Sequence, residues 1–343
     1  SRAASGLLAA FNDAGVLAAA DVHVARRLAA LRGESADGPS ALAAALAVRA
    51  PRLGHVFVDL ATIRDTATVD ADGPVDVAEL PWPESDGWLA AVGASPLVAG
   101  DGPQPLRLEG SHLYLDRYLG EELQIADDLI TLAGGLGPVV HDVLLGDGVR
   151  RLFGEDVAGR QALAAAAAVT ARVSVVAGGP GTGKTTTVAR ILALLHEQAA
   201  ASGAPPPLIG LAAPTGKAAA RLQEAVHEEA VKLPVEPATR DQLLSLDAVT
   251  LHRLLGWRPD SQTRFRHNRG NRVPYDVVVV DETSMVSLSL MARLLEAVRR
   301  DSRLVLLGDP GQLPSVEAGG RLGGPPPARP GDPPGAGGGP PPR

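Results

Sequence analysis

One run of eight residues constrains this chain more than any other: Gly178-Gly179-Pro180-Gly181-Thr182-Gly183-Lys184-Thr185. It fits the pattern GxxxxGK[ST] and lies between an apolar segment at 173–176 and a helical pattern beginning near Lys184. Strand, glycine-rich loop and helix in that order form a phosphate cradle. The glycines let backbone N–H groups wrap around phosphate oxygens, and the helix start adds the positive end of its dipole. Lysine at this position reaches the β- and γ-phosphates, and Thr185 supplies a hydroxyl to Mg2+. A dinucleotide-binding loop would have no use for the Lys-Thr pair. ATP with Mg2+ is the expected ligand, held by residues 178–186 including Thr186.

Ninety-seven residues past Lys184 stands the expected partner, Val277 to Val280 followed by Asp281-Glu282. Four apolar residues suit a strand buried on both faces, and in an α/β sheet ligands bind beyond the carboxyl ends of the strands. Asp281 is placed to hold the metal, and Glu282 to orient the water that attacks the γ-phosphate. Further apolar segments at 208–212 and 304–307, each flanked by helical patterns, complete the signature of a parallel α/β sheet.

Residues 1–148 read differently. Periodic Ala/Leu-rich stretches at 8–31 and 40–50 predict a mainly helical unit, with strand-like alternation at 55–60 and a rigid extended segment at Pro81-Trp82-Pro83. His55, His112 and His141 stand at no metal-ligand spacing. The chain has no cysteine, which excludes a disulfide framework, a thiolate metal site and a cysteine nucleophile. No uncharged apolar stretch reaches the length of about 18 residues that a membrane span needs, so no membrane association is expected. Charge is uneven: residues 1–150 hold 10 Lys/Arg against 21 Asp/Glu, and residues 151–320 hold 19 against 17. An acidic first half repels phosphate backbones, which leaves nucleic-acid contact to the second half or to a basic partner.

Further segments, taken together, resemble superfamily 1 DNA helicases and most closely the RecD family, the alpha subunit of exodeoxyribonuclease V. Gln161 resembles the adenine-reading glutamine that precedes the first helicase motif. Ala213-Pro214-Thr215-Gly216-Lys217-Ala218-Ala219 is similar to motif Ia, and Thr250-Leu251-His252-Arg253-Leu254-Leu255-Gly256 to motif Ib. The resemblance implies that Thr215, Lys217, Thr250 and His252 face single-stranded DNA. Asp281-Glu282-Thr283-Ser284-Met285 resembles motif II. Gly308-Asp309-Pro310-Gly311-Gln312-Leu313-Pro314-Ser315-Val316 resembles motif III, in which Gln312 would sense the γ-phosphate.

Residues 257–273 fall where the family places its small 1B insertion. They carry Arg258, Arg264, Arg266, Arg269 and Arg272, with Trp257 and Phe265 among them and Asp260 as the one acid. That composition suits a strand-binding groove or a solvated loop, with Trp257, Phe265 and Tyr275 as stacking candidates.

The resemblance implies an α/β fold: a P-loop NTPase, RecA-like parallel-sheet domain at 149–318, preceded by a smaller subunit-contacting domain at 1–148. It implies ATP-driven 5′ to 3′ translocation on single-stranded DNA at DNA ends, in double-strand break repair and recombination, beside RecB and RecC homologues in the cytoplasm. Nuclease activity would belong to the RecB partner. Residues 319–343, with nine Gly and nine Pro, are expected to be a disordered tail. With no initiator Met and no motifs IV–VI, the chain is expected to be partial. The arginines missing with those motifs are worth roughly 10³ to 10⁵ in rate, so ATP turnover by this chain alone is expected to be poor. A stand-alone RecD-like helicase and a non-motor P-loop ATP-binding module are the alternatives.

Overall fold

A computed structural model of the chain describes residues 6–69, 76–179, 181–258 and 265–309. Pro180, Gln312 and the expected disordered tail at 319–343 lie outside the described residues.

The first part of the chain builds on helices. In chain order come α1 (Gly6–Asp13), α2 (Ala19–Leu31), α3 (Pro39–Arg52), β1 (Phe57–Asp59), α4 (Ile63–Thr66), α5 (Ser85–Ala94), β2 (Leu106–Glu109), β3 (His112–Leu115) and α6 (Asp116–Ala133). The periodic stretch at 8–31 is two helices rather than one, because Gly15 turns the chain at a φ of +77° that a side chain would resist. Proline opens α3, where its missing N–H costs nothing, and ten of that helix's fourteen residues are buried, mostly alanines. Such small side chains let neighbours approach from several sides. Leu8, Phe11, Leu42, Leu46, Trp88 and Leu113 share this core. Trp82 meets Phe11 edge-on at 4.5 Å, and the Trp88 indole N–H donates to the Pro39 carbonyl at 2.9 Å. A three-stranded antiparallel sheet, ordered β1-β3-β2, closes one side.

The second part is an α/β layer structure. It comprises α7 (Asp142–Phe153), α8 (Arg160–Thr170), β4 (Val173–Ala177), α9 (Lys184–Ala201), β5 (Ile209–Ala213), α10 (Gly216–Lys232), α11 (Pro237–Leu244), β6 (Ala248–Thr250), α12 (Leu251–Leu254), β7 (Val277–Val280), α13 (Leu288–Ala297) and β8 (Arg303–Gly308). The five strands are all parallel, in the order β4-β8-β7-β5-β6. Every residue of β5 and β7 is buried, which is why neither alternates in sequence. β4 does alternate: among the described residues its outer edge has no strand partner, and Val175 is exposed.

Helix α6 joins the two parts. Its Gln124 amide donates to the Ala292 carbonyl of α13 at 3.2 Å, its Arg117 to the Ser289 hydroxyl at 3.0 Å, and that hydroxyl to Glu121 at 2.5 Å. Leu132 lies in the core formed with α13, β7 and β8.

Candidate active site

Parallel pairing sends every strand's carboxyl end to the same edge. Ala177 of β4 pairs with Gly308 of β8, Val280 of β7 with Leu306 of β8 and with Ala212 of β5, and Ala213 of β5 with Thr250 of β6. The loop at 178–183, Thr215, Thr250, the Asp281-Glu282 pair and Asp309 therefore follow successive strands at one rim. β8 stands between the strand that carries the glycine loop and the strand that carries the carboxylates.

Glycine serves the loop for two different reasons. Gly181 and Gly183 hold φ values of +72° and +75°, and Gly183 sits in the left-handed region just before α9. Gly178 is needed for space, since a Cβ there would come within 2.7 Å of the Thr182 hydroxyl oxygen. The Gly178 N–H donates to the Gly308 carbonyl at 3.1 Å, which ties the loop to the end of β8. Lys184 folds back over the loop: its Nζ donates to the carbonyls of Gly178 at 2.5 Å and Gly179 at 2.8 Å. Thr186 and Thr187 both donate their hydroxyls to the Gly183 carbonyl at 2.8 Å. The Thr185 side chain, half-buried, stands next to them in the first turn of α9.

Gln161, on the first turn of α8, donates from Nε2 to the Thr182 carbonyl at 2.9 Å. An amide nitrogen carries two protons and its partner oxygen two lone pairs, so one such bond leaves the group able to read a base as well. A Cβ on Gly183 would lie 2.6 Å from Nε2, so the Gln161 amide would have to shift to admit one.

Asp281 is buried, at 8% exposure, and accepts from the Glu282 N–H at 2.8 Å. Burial pushes its carboxyl above the ordinary value. The Glu282 amide bond opposes that shift, the Glu282 charge adds to it, and Lys184 also opposes it. Glu282 itself adopts a left-handed backbone at φ +53°, the one non-glycine residue to do so among those described. Strain of this kind persists only where the surroundings enforce it. Here the Thr283 hydroxyl bonds the Leu307 carbonyl at 2.8 Å and the Met285 N–H bonds the Glu282 carbonyl at 3.0 Å. Neither the strained glutamate nor the Thr283 tie to β8 is legible in the motif string; both depend on the strand order.

These residues suit a triphosphate with a divalent cation. The loop is built to glycine dimensions, and a buried carboxylate disfavoured as an anion gains most from a cation beside it.

The residues expected at DNA split by role. Lys217 and His252 are exposed. Thr215 and Thr250 cap helices: the Thr215 hydroxyl accepts from the Ala218 N–H and the Thr250 hydroxyl from the Arg253 N–H, each at 3.2 Å. The five-arginine groove breaks up. Arg269 makes a bidentate bond to Asp128 of α6, with both contacts at 2.8 Å, and Arg272 donates to the Val298 carbonyl. Arg264 lies outside the described residues. Tyr275 packs inward, so close to β5 that a Cβ on Gly210 would meet its ring at 2.8 Å, which removes it from the stacking candidates.

Among known proteins, residues 161–318 match the AAA domain and residues 13–114 match the RecBCD enzyme subunit RecD, N-terminal domain. The RecBCD enzyme subunit RecD of Mycolicibacterium smegmatis is 56% identical over 317 residues, which is 92% of this chain and 53% of that protein. The RecBCD enzyme subunit RecD of Mycobacterium tuberculosis is 55% identical over 322 residues, 93% of this chain and 52% of the relative. The ATP-dependent RecD2 DNA helicase of Deinococcus radiodurans is 42% identical over 148 residues, 43% of this chain and 17% of that protein. The chain thus spans about half the length of the first two relatives.

Proposed function

Because the chain belongs to the RecD family, we propose that it is the ATP-binding motor portion of a DNA helicase, a 5′ to 3′ translocase subunit that works on single-stranded DNA at broken ends with RecB and RecC homologues in the cytoplasm. Similarity to RecBCD subunits over more than nine-tenths of the chain supports the assembly, as does the separate match to the RecD N-terminal domain. Among the described residues, no helix is long and apolar enough to cross a membrane. The reading is carried chiefly by one observation: the glycine loop, Gln161, Lys184, Asp281 and Glu282 stand at the same rim as the helix starts bearing Thr215, Lys217, Thr250 and His252.

The chain's own residues perform the chemistry in this scheme. Lys184 exchanges the Gly178 and Gly179 carbonyls for β- and γ-phosphate oxygens, which frees those carbonyls to move. Gln161 keeps its bond to Thr182 and offers its remaining amide atoms to adenine. Thr185 and Asp281 hold Mg2+, which when bound neutralises charge on the phosphate oxygens. Glu282 accepts a proton from the attacking water as the bond from the water oxygen to the γ-phosphorus forms and ADP departs. Gln312, beyond β8, is assigned the sensing of the γ-phosphate. Because Thr283 grips the Leu307 carbonyl, movement at the carboxylates is transmitted to the strand that leads to Gln312.

Equilibrium binding of a fluorescent ATP analogue to the chain tests the site. Binding should require Mg2+ and be lost in Lys184→Ala; retention of magnesium-dependent affinity in that variant would refute the assignment. With a complete second motor lobe present in the assay, a rise in ATP hydrolysis on adding single-stranded DNA separates a motor from a non-motor ATP-binding module.

A further inference from the structure

Trp257 is 47% exposed, whereas the other two tryptophans of the chain are otherwise engaged. Trp88 is 3% exposed in the first core, and the Trp82 indole N–H donates to the Val77 carbonyl at 2.7 Å. Trp257 lies on a short two-stranded ribbon. It pairs antiparallel with Phe265, while the Arg266 N–H donates to the Gly256 carbonyl at 2.9 Å. Directly opposed residues project from the same face of a ribbon, so Trp257 and Phe265 share one face. The His252 ring lies 5.7 Å from that of Phe265. Strand alternation turns the exposed Arg258 and Arg266 to the other face.

The ribbon is anchored at its base. Arg269 is clamped to Asp128, whose side chain is only 10% exposed, and Arg272 is bonded to the end of α13 through the Val298 carbonyl. Between His252 and Arg272 the sequence holds six arginines and a single acid, Asp260. An uncovered aromatic face on a pre-positioned element, in a cationic stretch, matches the chemistry of an unpaired base attached to a phosphate backbone. A duplex would not satisfy it, since paired bases keep their faces stacked on one another.

We infer that Trp257, on one ribbon face with Phe265 and beside His252, is a stacking platform for a base of single-stranded DNA, with the exposed Arg253 tracking an adjacent phosphate. This inference rests on the proposal that the chain binds single-stranded DNA, and its central residues, Trp257 and Phe265, lie outside the stretches that resemble motifs Ia and Ib, to which His252 and Arg253 belong. The aromatic face sets how tightly bases are held. Arg253 sets the dependence on salt.

The test is binding of an oligothymidylate of about 16 nucleotides, read both by its own fluorescence anisotropy and by tryptophan emission of the chain. DNA should quench the emission. Trp257→Ala should weaken binding about 5- to 100-fold and abolish the quenching, while Trp257→Phe should retain most of the affinity. Arg253→Ala should instead lower the slope of log affinity against log salt by about one. An oligonucleotide with the same phosphates but abasic sugars should bind Trp257→Ala and the unsubstituted chain alike. Equal oligothymidylate affinity in Trp257→Ala and the unsubstituted chain would overturn the platform and leave the proposed function standing. Equal loss on both oligonucleotides would also overturn it, by making the defect one of structure. A chain with no affinity for either DNA would remove this inference and the DNA-binding half of the proposed function together.

Discussion

The two parts of this molecule bury comparable apolar residues, yet only one of them gathers chemistry. In the first, an alanine-rich helix buried on most sides carries three short antiparallel strands, whose ends point alternately to opposite rims. In the second, five strands run the same way, so every loop that follows a strand opens at one rim. Parallel topology needs a crossover for each strand and gains, in return, a single edge at which glycine loop, carboxylates and helix caps meet. The antiparallel unit has no such edge; its polar contacts, such as Arg49 to the Thr68 carbonyl and Arg52 to Asp21, tie its own segments together.

If the cores are separate in energy as well as in design, cavities should be felt locally. Leu42→Ala in the first core and Leu192→Ala in the second each remove a fully buried side chain and should cost about 2–5 kcal/mol. Calorimetry should show two transitions, with each substitution lowering only its own. A single transition lowered by both would mean that the α6–α13 contact fuses the cores into one cooperative unit.

The next largest effect concerns the rim alone. Gly183→Ala places a methyl 2.6 Å from the Gln161 amide and forces alanine into a left-handed backbone. Strain of about 1–2 kcal/mol is expected from the backbone alone, so ATP-analogue affinity should fall about tenfold or more while the first core's transition stays in place. Asp281→Asn should act in opposite directions on stability and binding. Burial and Glu282 both disfavour charge at Asp281, so the amide should raise the melting temperature slightly while magnesium-dependent nucleotide binding disappears. A variant that lost stability would show that the carboxylate is needed for the fold.

How much of this was legible before the fold was known follows the same division. The buried strands at 173–176, 208–212, 277–280 and 304–307 announce themselves because parallel strands covered on both faces read as apolar runs, and each lies within one or two residues of its observed bounds. β6 gave no such signal: three partly buried residues carry too little pattern. The break between α1 and α2 rests on Gly15, one glycine inside an otherwise continuous helical period. At the site, the loop, Gln161 and the carboxylate pair were legible as residue types at fixed spacings. The left-handed Glu282, the Thr283 bond to β8 and the fate of the arginines were not. Arg269 and Arg266 are alike in sequence, and only the position of Asp128, 141 residues away, makes one an anchor.

That anchor offers a smaller test of the contrast, because it crosses from one part of the molecule to the other. Asp128→Ala should cost about 1 kcal/mol or less, since Arg269 is half-exposed and such pairs contribute little. Its larger consequence should be kinetic: backbone amides of Arg266 and His267, bonded to Gly256 and Leu255, should exchange faster with solvent. Unchanged exchange would mean that the ribbon is held by Arg272 and the core without help from α6.

An effect limited to one proton separates the cores by pH. His196 lies on α9, in the second part, at 6% exposure, with neither ring nitrogen hydrogen-bonded among the described residues. Burial pushes its pKa below the ordinary value of about 6.5. The unfolded chain therefore takes up a proton near that pH while the folded chain resists it, and stability falls as pH drops below about 6.5 until the lower folded-state pKa is reached. The slope cannot exceed about 1.4 kcal/mol per pH unit for one proton. Urea unfolding at pH 7.5 and at pH 5.5 should show this loss in the second transition, and His196→Leu should remove it while leaving the first transition's pH response untouched. Persistence of the full slope in His196→Leu would assign it to another titrating group and leave His196 as inert packing.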